Sequence, residues 1–399
     1  MAKNRLFKGM MAGVSFLVIL SMSAYAGYHA AEMADQENVL TDEYHVEKLL
    51  YLEEMIDELY LYDKDEEQLA EGIYTGLVYG LGDPYSCYYT AEEYEAEFQA
   101  NEGTFYGIGI SMEGTQDGYQ EVIEVYEGAP ADEAGMLPGD IILEVNGEDI
   151  CGMPGDEVVH AIRDSEDEVQ ITVNRPDTEK ELEFTMTPTD VEISSVYYGM
   201  LNSRMGYIQI TEFTAVTPAQ YQVAFEELTK EGMQTLVVDL RNNPGGLVDA
   251  VCEILRNILP EGKIVYTEDK NGERQEEFCD GKNELQLPLA VLVNSESASA
   301  AEIFAGAVQD YKKGIIIGTN TYGKGIVQSI LSLSDGSAIK LTTAQYFTAK
   351  GNIINGKGIC PDLLVELNYQ PQELLDDKQV LAAMEFLAGK TAQNAYPAA

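Results

Sequence analysis

Three serines, Ser295, Ser297 and Ser299, stand in "NSESASAAEIFAGAVQDY" (Asn294 to Tyr311), just ahead of an apolar run with helical spacing. Ser299-x-x-Glu302 fits a capping box, in which the first serine of a helix and a carboxylate three positions on satisfy each other's free backbone donors. A polar turn that starts a helix is one reading. The other is nucleophilic chemistry, and it needs a base, because a serine hydroxyl is a weak nucleophile at its own pKa. Histidine is excluded by count, since the chain has only His29, His45 and His160, all far ahead of this segment. "NTYGKGIVQ" (Asn320 to Gln328) offers Lys324 instead, set between two glycines in a run without another charge. Lysine titrates near ~10.4 in water, and burial lowers that value by disfavouring the charged form. Four positions on, Gln328 is placed to orient the neutral amine through its side-chain carbonyl.

Acyl transfer also needs donors where an oxyanion forms, commonly backbone N–H groups. "LRNNPGG" (Leu240 to Gly246) supplies them: Pro244 stiffens a turn, and Gly245 and Gly246 let the backbone face a substrate. Ala300, at the start of the serine-led helix, offers another N–H, with the helix dipole favouring negative charge. Taken alone, the glycine turn is equally an ordinary strand-to-helix connection. Glu296 adds a carboxylate near the serines; unpaired, it would stabilise a charged Lys324 and raise the working pH. Ser295 and Ser297 are expected to shape the turn rather than react.

These residues must be positioned by an α/β unit. From 191 to 370, short apolar runs ("GYIQI", "TLVVDL", "LAVLV", "GIIIG") read as strands buried on both faces. Helical patterns at Ala219–Lys230, Leu247–Leu259 and Ala300–Lys312 separate them. An amphipathic segment from Pro371 to Leu387 is expected to pack on this core, within a C-terminal helix and tail at 371–399 that frays beyond Gly389. Residues 103–190 carry short β-rich runs and one helical stretch near Gly155–Arg163. Residues 31–102 read as an acidic helical arm, with Leu49, Leu50, Met55, Ile56, Leu59 and Leu61 spaced for buried faces. "GDPYSCYYTAEEYEAEF" closes the arm, with Thr90 as N-cap and Glu93 three residues on.

The 399 residues include 69 acidic and 24 basic ones, a formal charge of −45 that repels phosphate backbones, so nucleic acid is not an expected partner. Five scattered cysteines without a C-x-x-C pair indicate neither a disulfide framework nor a metal site. No cofactor is expected. Lys3, Arg5 and Lys8 precede an uncharged stretch from Met10 to Tyr28, close to the ~20 residues that cross a bilayer. Residues 1–30 are expected to be a single-pass membrane anchor that puts the remainder outside the cytoplasm. Ala24-Tyr25-Ala26 keeps open a cleaved signal and secretion.

Two resemblances sharpen this. "YGIGI" (Tyr106, Gly107, Ile108, Gly109, Ile110) and "GAPADEAGMLPGDIILEVNG" (Gly128 to Gly147) resemble a PDZ domain, whose bared backbone N–H groups hold a peptide's terminal carboxylate while a sheet edge takes the peptide as an extra strand. "LRNNPGG", "NSESASAAEIFAGAVQD", "GTNTYGKGIVQ" and "GKGICPD", behind that domain, resemble the C-terminal processing peptidases, or tail-specific proteases. The likeness spans about Tyr51 to Leu387. It implies a crotonase- or ClpP-like α/β protease core with an inserted PDZ domain and an N-terminal helical region. It places the family's nucleophile on Ser299, its lysine base on Lys324, its assisting glutamine on Gln328, and its oxyanion donors on Gly245, Gly246 and Ala300. Polypeptides with exposed C-terminal tails are the implied partners, and a homo-oligomer stays open. Glu296 and Tyr322 depart from the family's usual glycine and phenylalanine. Two other classes remain in comparison: a PDZ-type binding scaffold with an inactive crotonase-like core, and an acyl-CoA enzyme on the same fold.

Overall fold

The computed structural model describes residues 39–165, 168–176, 178, 180–367 and 373–395. The expected membrane anchor falls outside them, and no helix among the described residues is long and apolar enough to cross a membrane. The chain divides into two compact units, with the division between Ile73 and Tyr74.

In the first unit a helix spans Glu43–Leu59, opened by Asp42, whose carboxylate accepts from the Tyr44 N–H at 3.0 Å. The expected buried face is not realised within it. None of this helix's residues is buried, and Leu49, Leu50, Met55, Leu59 and Leu61 are exposed. The helix Glu66–Tyr79 begins here and runs into the second unit.

The second unit opens with a short strand, Cys87–Tyr89, and the helix Ala91–Glu102. Its capping box is complete: Glu93 N–H donates to Thr90 Oγ1 at 3.2 Å, and Thr90 N–H to Glu93 Oε2 at 2.9 Å. An antiparallel sheet follows, ordered Ile110–Gly114, Gln120–Val125, Ile141–Val145, Val169–Arg175 and Lys180–Met186. The helix Gly155–Arg163 lies where the sequence pattern predicts it and buries Val158 and Ile162. In Val169–Arg175 the alternate residues Val169, Ile171 and Val173 face that core, as a period-two pattern requires. The chain enters and leaves this part through one antiparallel pair, Thr104–Gly107 with Thr189–Glu192.

The α/β part is built on a six-stranded sheet ordered Val196–Asn202, Met205–Ile210, Thr235–Asp239, Leu289–Val293, Gly314–Gly318 and Leu363–Leu364. The first pair is antiparallel and every other pair is parallel. Thr235–Asp239 and Leu289–Val293 are buried throughout, which explains their unbroken apolar runs. Leu236 and Val238 face the helices Thr217–Lys230, Val248–Arg256 and Ala300–Tyr311, while Val237, Ala290 and Leu292 meet Val380, Ala383 and Leu387 of the helix Lys378–Ala395 on the other face. That last helix differs from the expected Pro371–Leu387. It starts at Lys378, where the Asp377 carboxylate accepts from the Gln379 N–H at 2.8 Å, and continues past Gly389 to Ala395.

A second sheet is ordered Cys87–Tyr89, Ala338–Thr348, Gly262–Asp269 and Arg274–Cys279, with Ile326–Ser332 also paired to Ala338–Thr348. The two sheets serve different ends of one site.

Candidate active site

Ser299 lies immediately before the helix Ala300–Tyr311 with φ 53° and ψ −114°, a left-handed backbone that a serine adopts only under constraint. Packing behind and beside it supplies that constraint: every residue from Ala300 to Val308 is buried, and a Cβ on Gly245 would lie 2.7 Å from that of Ser299. Glycine at 245, with φ 114°, is what allows the two segments to touch.

The sequence reading treats Glu302 as a cap, and the structure gives it more to do. Its carboxylate is fully buried and accepts from Ser299 N–H at 3.0 Å, Thr321 Oγ1 at 2.5 Å, Gly323 N–H at 2.8 Å and Lys324 N–H at 2.8 Å. One side chain therefore ties the serine turn to the lysine segment. The signal in the sequence was the Ser299-x-x-Glu302 capping-box spacing, which says nothing of the lysine segment.

The glycine turn is equally specific. Asn243 is buried; its Oδ1 accepts from Gly245 N–H at 2.8 Å, its Nδ2 donates to Ile210 O at 2.9 Å, and its own carbonyl accepts from Ala298 N–H at 3.0 Å. The Gly245 N–H is thus engaged internally, whereas those of Gly246 and Ala300 have no partner among the described residues. Behind the turn, Arg241 bonds Asp239, Asp377 and Gln379, and Tyr207 donates to Asp239 at 2.7 Å, so the strand entering the turn is locked to the cap of the last helix. Of the flanking serines, Ser297 is buried and donates to Leu240 O at 2.7 Å, while Ser295 is exposed.

Lys324 reaches the same cavity, of about 470 Å³, that Ser299, Gly246, Gln328 and Tyr346 line. Its ammonium nitrogen sits 4.7 Å from the Tyr85 ring centroid. Burial holds its pKa below the ordinary lysine value; the Lys340 charge pushes the same way and Glu97 opposes it. The expected influence of Glu296 is not found: that side chain is exposed at the serine turn, and the carboxylate acting on Lys324 is Glu97, paired with Lys340 at 2.7 Å. No hydrogen bond joins Lys324 to Ser299 or to Gln328 among the described residues, and Gln328 Nε2 donates to Thr342 Oγ1 at 3.3 Å. Tyr346, which the sequence reading missed, is buried and lines the same cavity, where burial pushes its phenol up to about 12 and Ser299 works against the rise.

Away from this cavity, Tyr106, Gly107, Ile108, Gly109 and Ile110 line a groove of about 250 Å³ with Gly155, Val159 and Ile162. Gly109 has φ 82°, and a Cβ there would lie 2.1 Å from that of Ala129. The N–H groups of Ile108 and Gly109 have no partner among the described residues, so the groove floor presents bare donors.

Comparison with known proteins adds to this geometry. The family model "Peptidase family S41" matches residues 204–365, "PDZ domain" matches 96–174, and "Activating protease CtpB N-terminal domain" matches 9–93. The carboxy-terminal processing protease CtpA of Bacillus subtilis (strain 168) is 32% identical over 392 residues, covering 98% of this chain and 81% of the relative. A probable CtpA-like serine protease of Staphylococcus aureus (strain COL) is 34% identical over 331 residues, 82% of this chain; the match spans 66% of that relative's length. The solved structure of a photosystem II D1 C-terminal processing protease shares 29% identity, with 82% of this chain and 89% of that one covered and a TM-score of 0.48.

Proposed function

The chain belongs to peptidase family S41, and from that premise we propose that it is a serine endopeptidase that cuts polypeptides captured by their C-terminal tails. The observation that carries this reading is one cavity lined by a strained Ser299, a desolvated Lys324 and Gly246 with an unengaged backbone N–H, while the next N–H after Ser299, that of Ala300, is also unengaged. Ser299 Oγ attacks the scissile carbonyl as its proton passes to neutral Lys324 Nζ. The carbonyl oxygen takes up the displaced electron pair between the N–H groups of Gly246 and Ala300, at the positive end of the Ala300–Tyr311 helix. Gly245 serves by close approach rather than by donation, and Asn243 holds the turn. Lys324 then gives the proton to the departing amine, and water releases the acyl group by the same steps in reverse. Gln328 orients the amine once substrate lies in the cleft. This arrangement disfavours an inactive scaffold, because a binding module has no use for a strained serine beside a desolvated lysine.

In the same reading, the 106–110 groove takes the free carboxylate of the substrate's tail on the Ile108 and Gly109 N–H groups. The N-terminal segment directs the catalytic part outside the cytoplasm, as an anchor or a cleaved signal. Domain limits at 31–102, 103–190, 191–370 and 371–399 follow from the same assignment. One peptide series tests it: a free-acid tail, its C-terminal amide and a tail ending in Asp, offered to the wild-type and Ser299→Ala chains. Cleavage that needs Ser299 and slows on amidation is expected. Equal rates for acid and amide would remove the tail-reading role, and cleavage surviving Ser299→Ala would remove the nucleophile.

A further inference from the structure

Residues 320–325, which carry Lys324, belong to no helix or strand, and what fastens them is the 356–362 stretch "GKGICPD", none of whose residues lines the catalytic cavity. Asn320 Nδ2 donates to Lys357 O at 2.9 Å, Gly356 N–H to Gly323 O at 2.8 Å, and Gly325 N–H to Asn355 Oδ1 at 3.3 Å. The stretch is itself fixed to the core, where Gln309 Nε2 donates to Cys360 O and the Ile316 N–H to the Asp362 carboxylate, each at 2.9 Å. Between the two segments lies Thr321, which is buried and whose N–H donates to Ile359 O at 3.2 Å. Its hydroxyl oxygen lies 2.6 Å from the Ile359 nitrogen and 2.5 Å from Glu302 Oε1. A Cβ on Gly358, at φ 71°, would lie 2.5 Å from Thr321 O and 2.9 Å from its Oγ1, so the stretch closes on this residue at a glycine. We propose that Thr321 is a positioning residue for the base: its hydroxyl joins the 356–362 stretch to Glu302 and so fixes where Lys324 stands relative to Ser299, a role that rests on the peptidase reading above.

Valence fixes the direction of each bond. The Ile359 N–H can only donate, so Thr321 Oγ1 accepts from it, and the hydroxyl's one proton is left for the carboxylate. The donors to Glu302 then divide evenly. Oε1 takes Thr321 Oγ1 and the Gly323 N–H, while Oε2 takes the N–H groups of Ser299 and Lys324. The last torsion of a glutamate side chain is soft and roughly two-fold, so the donors, rather than an intrinsic rotamer, set the plane of the carboxylate. The Thr321 bond, charge-assisted and at 2.5 Å, is the shortest of them. Without it Oε1 keeps one donor, the carboxylate plane can turn, and Oε2, the atom that Ser299 and Lys324 share, moves with it. Lys324 is then displaced from Ser299 although every reacting group is still present. Valine has the same branched shape as threonine, so packing alone does not explain the hydroxyl.

The test uses the full chain and compares like shapes with and without the hydroxyl. Thr321→Val keeps the branched shape of the wild type and drops the hydroxyl, and Thr321→Ala differs from Thr321→Ser by the hydroxyl alone. Peptide hydrolysis gives kcat and KM, a fluorophosphonate probe gives the labelling rate of Ser299, and thermal unfolding sets an assay temperature at which each chain is folded. For Thr321→Val and Thr321→Ala we expect kcat to fall about tenfold with KM within about twofold, and labelling to slow in parallel, the size of one hydrogen bond lost from the alignment of serine and base. Thr321→Ser should recover most of the rate, however much stability its missing methyl group costs. If Thr321→Val does not fold, the alanine and serine pair decides. Wild-type kcat in the chains that lack the hydroxyl, a change confined to KM, or equal losses in Thr321→Ser and Thr321→Ala would each overturn the proposal. So would failure of every chain lacking the hydroxyl to fold, which would make Thr321 a structural residue. Failure of the peptidase reading looks different: a wild-type chain that neither cleaves peptide nor labels at Ser299, which overturns both.

Discussion

The serine and the lysine of this site are held by unlike means. The helix behind Ser299 is buried from Ala300 to Val308, whereas no residue of Ile326–Ser332, the strand that follows Lys324, is buried. Ser299 inherits its place from the packing of the main α/β core, so its geometry is a property of the whole fold. Lys324 is held by a backbone bond to Glu302, a Tyr85 ring and the field of Lys340 and Glu97, the latter on the helix Ala91–Glu102. If Ser299 attacks and Lys324 is the base, as proposed, the contrast means that attack geometry is set by the whole fold while the proton affinity of the base is set locally.

The largest test of that contrast removes each group in turn. Ser299→Ala and Lys324→Ala should each reduce peptide hydrolysis by about 10⁴-fold or more, since such partners act as a unit. Their stabilities should diverge. Ser299→Ala is expected to be close to neutral, and Lys324→Met to match or exceed the wild-type unfolding temperature, because it removes a charge that burial penalises. A marked loss of stability in Lys324→Met would show that the lysine side is as integral to packing as the serine side.

Glu302 is where the two sides join. Glu302→Gln keeps the volume but sets an amide N–H against backbone donors, and a cost on the order of 3–5 kcal/mol, read by urea unfolding, is expected together with severe loss of activity. A stable Glu302→Gln chain with normal turnover would mean that the sides are positioned independently.

Two smaller changes address adjustability. Removing the Lys340 charge, as in Lys340→Met, takes away a repulsion that adds to burial in lowering the Lys324 pKa and leaves Glu97 unpaired, so the folded pKa of Lys324 should rise and the pH at which kcat/KM climbs should move up. Glu97→Gln removes the opposing influence and should move that pH down. Identical profiles for both variants and wild type would show that burial alone sets the base. Smallest of all, Ser295→Ala should leave kcat and KM within about twofold, whereas Ser297→Ala, losing a buried bond worth about 1 kcal/mol to Leu240, should lower the unfolding temperature slightly.

Much of this site was legible because its chemistry depends on residue type. A serine before an apolar helix, a lysine between glycines and the lack of histidine in the α/β part are written in the chain itself. The division of labour at the glycine turn was not legible. Which N–H faces the cleft depends on Asn243 folding its side chain back onto Gly245, a choice that spacing does not reveal. Tyr346 was hidden for another reason, lying on the far strand of a hairpin and reaching the cavity that Ser299 lines only through sheet pairing. The core strands were readable from apolar runs. The arm's apolar residues are spaced for buried faces, yet its helix Glu43–Leu59 buries none of them, since periodicity shows that a helix has an apolar face but not what lies against it. The last helix was placed too early because its start is set by Asp377 meeting Arg241, a contact across the fold.

The backbone of Ser299 also limits which other nucleophiles the scaffold accepts. A residue at φ 53° pressed against Gly245 has room for an unbranched β-carbon and little else. Cysteine meets that condition, so Ser299→Cys should fold and keep the thiol aimed into the cavity. Threonine adds a methyl group at the atom that touches Gly245, in a backbone region where β-branched residues are outliers. The scaffold is therefore open to exchange of oxygen for sulfur but closed to a secondary alcohol, and that boundary is drawn by a glycine whose own N–H is turned to Asn243.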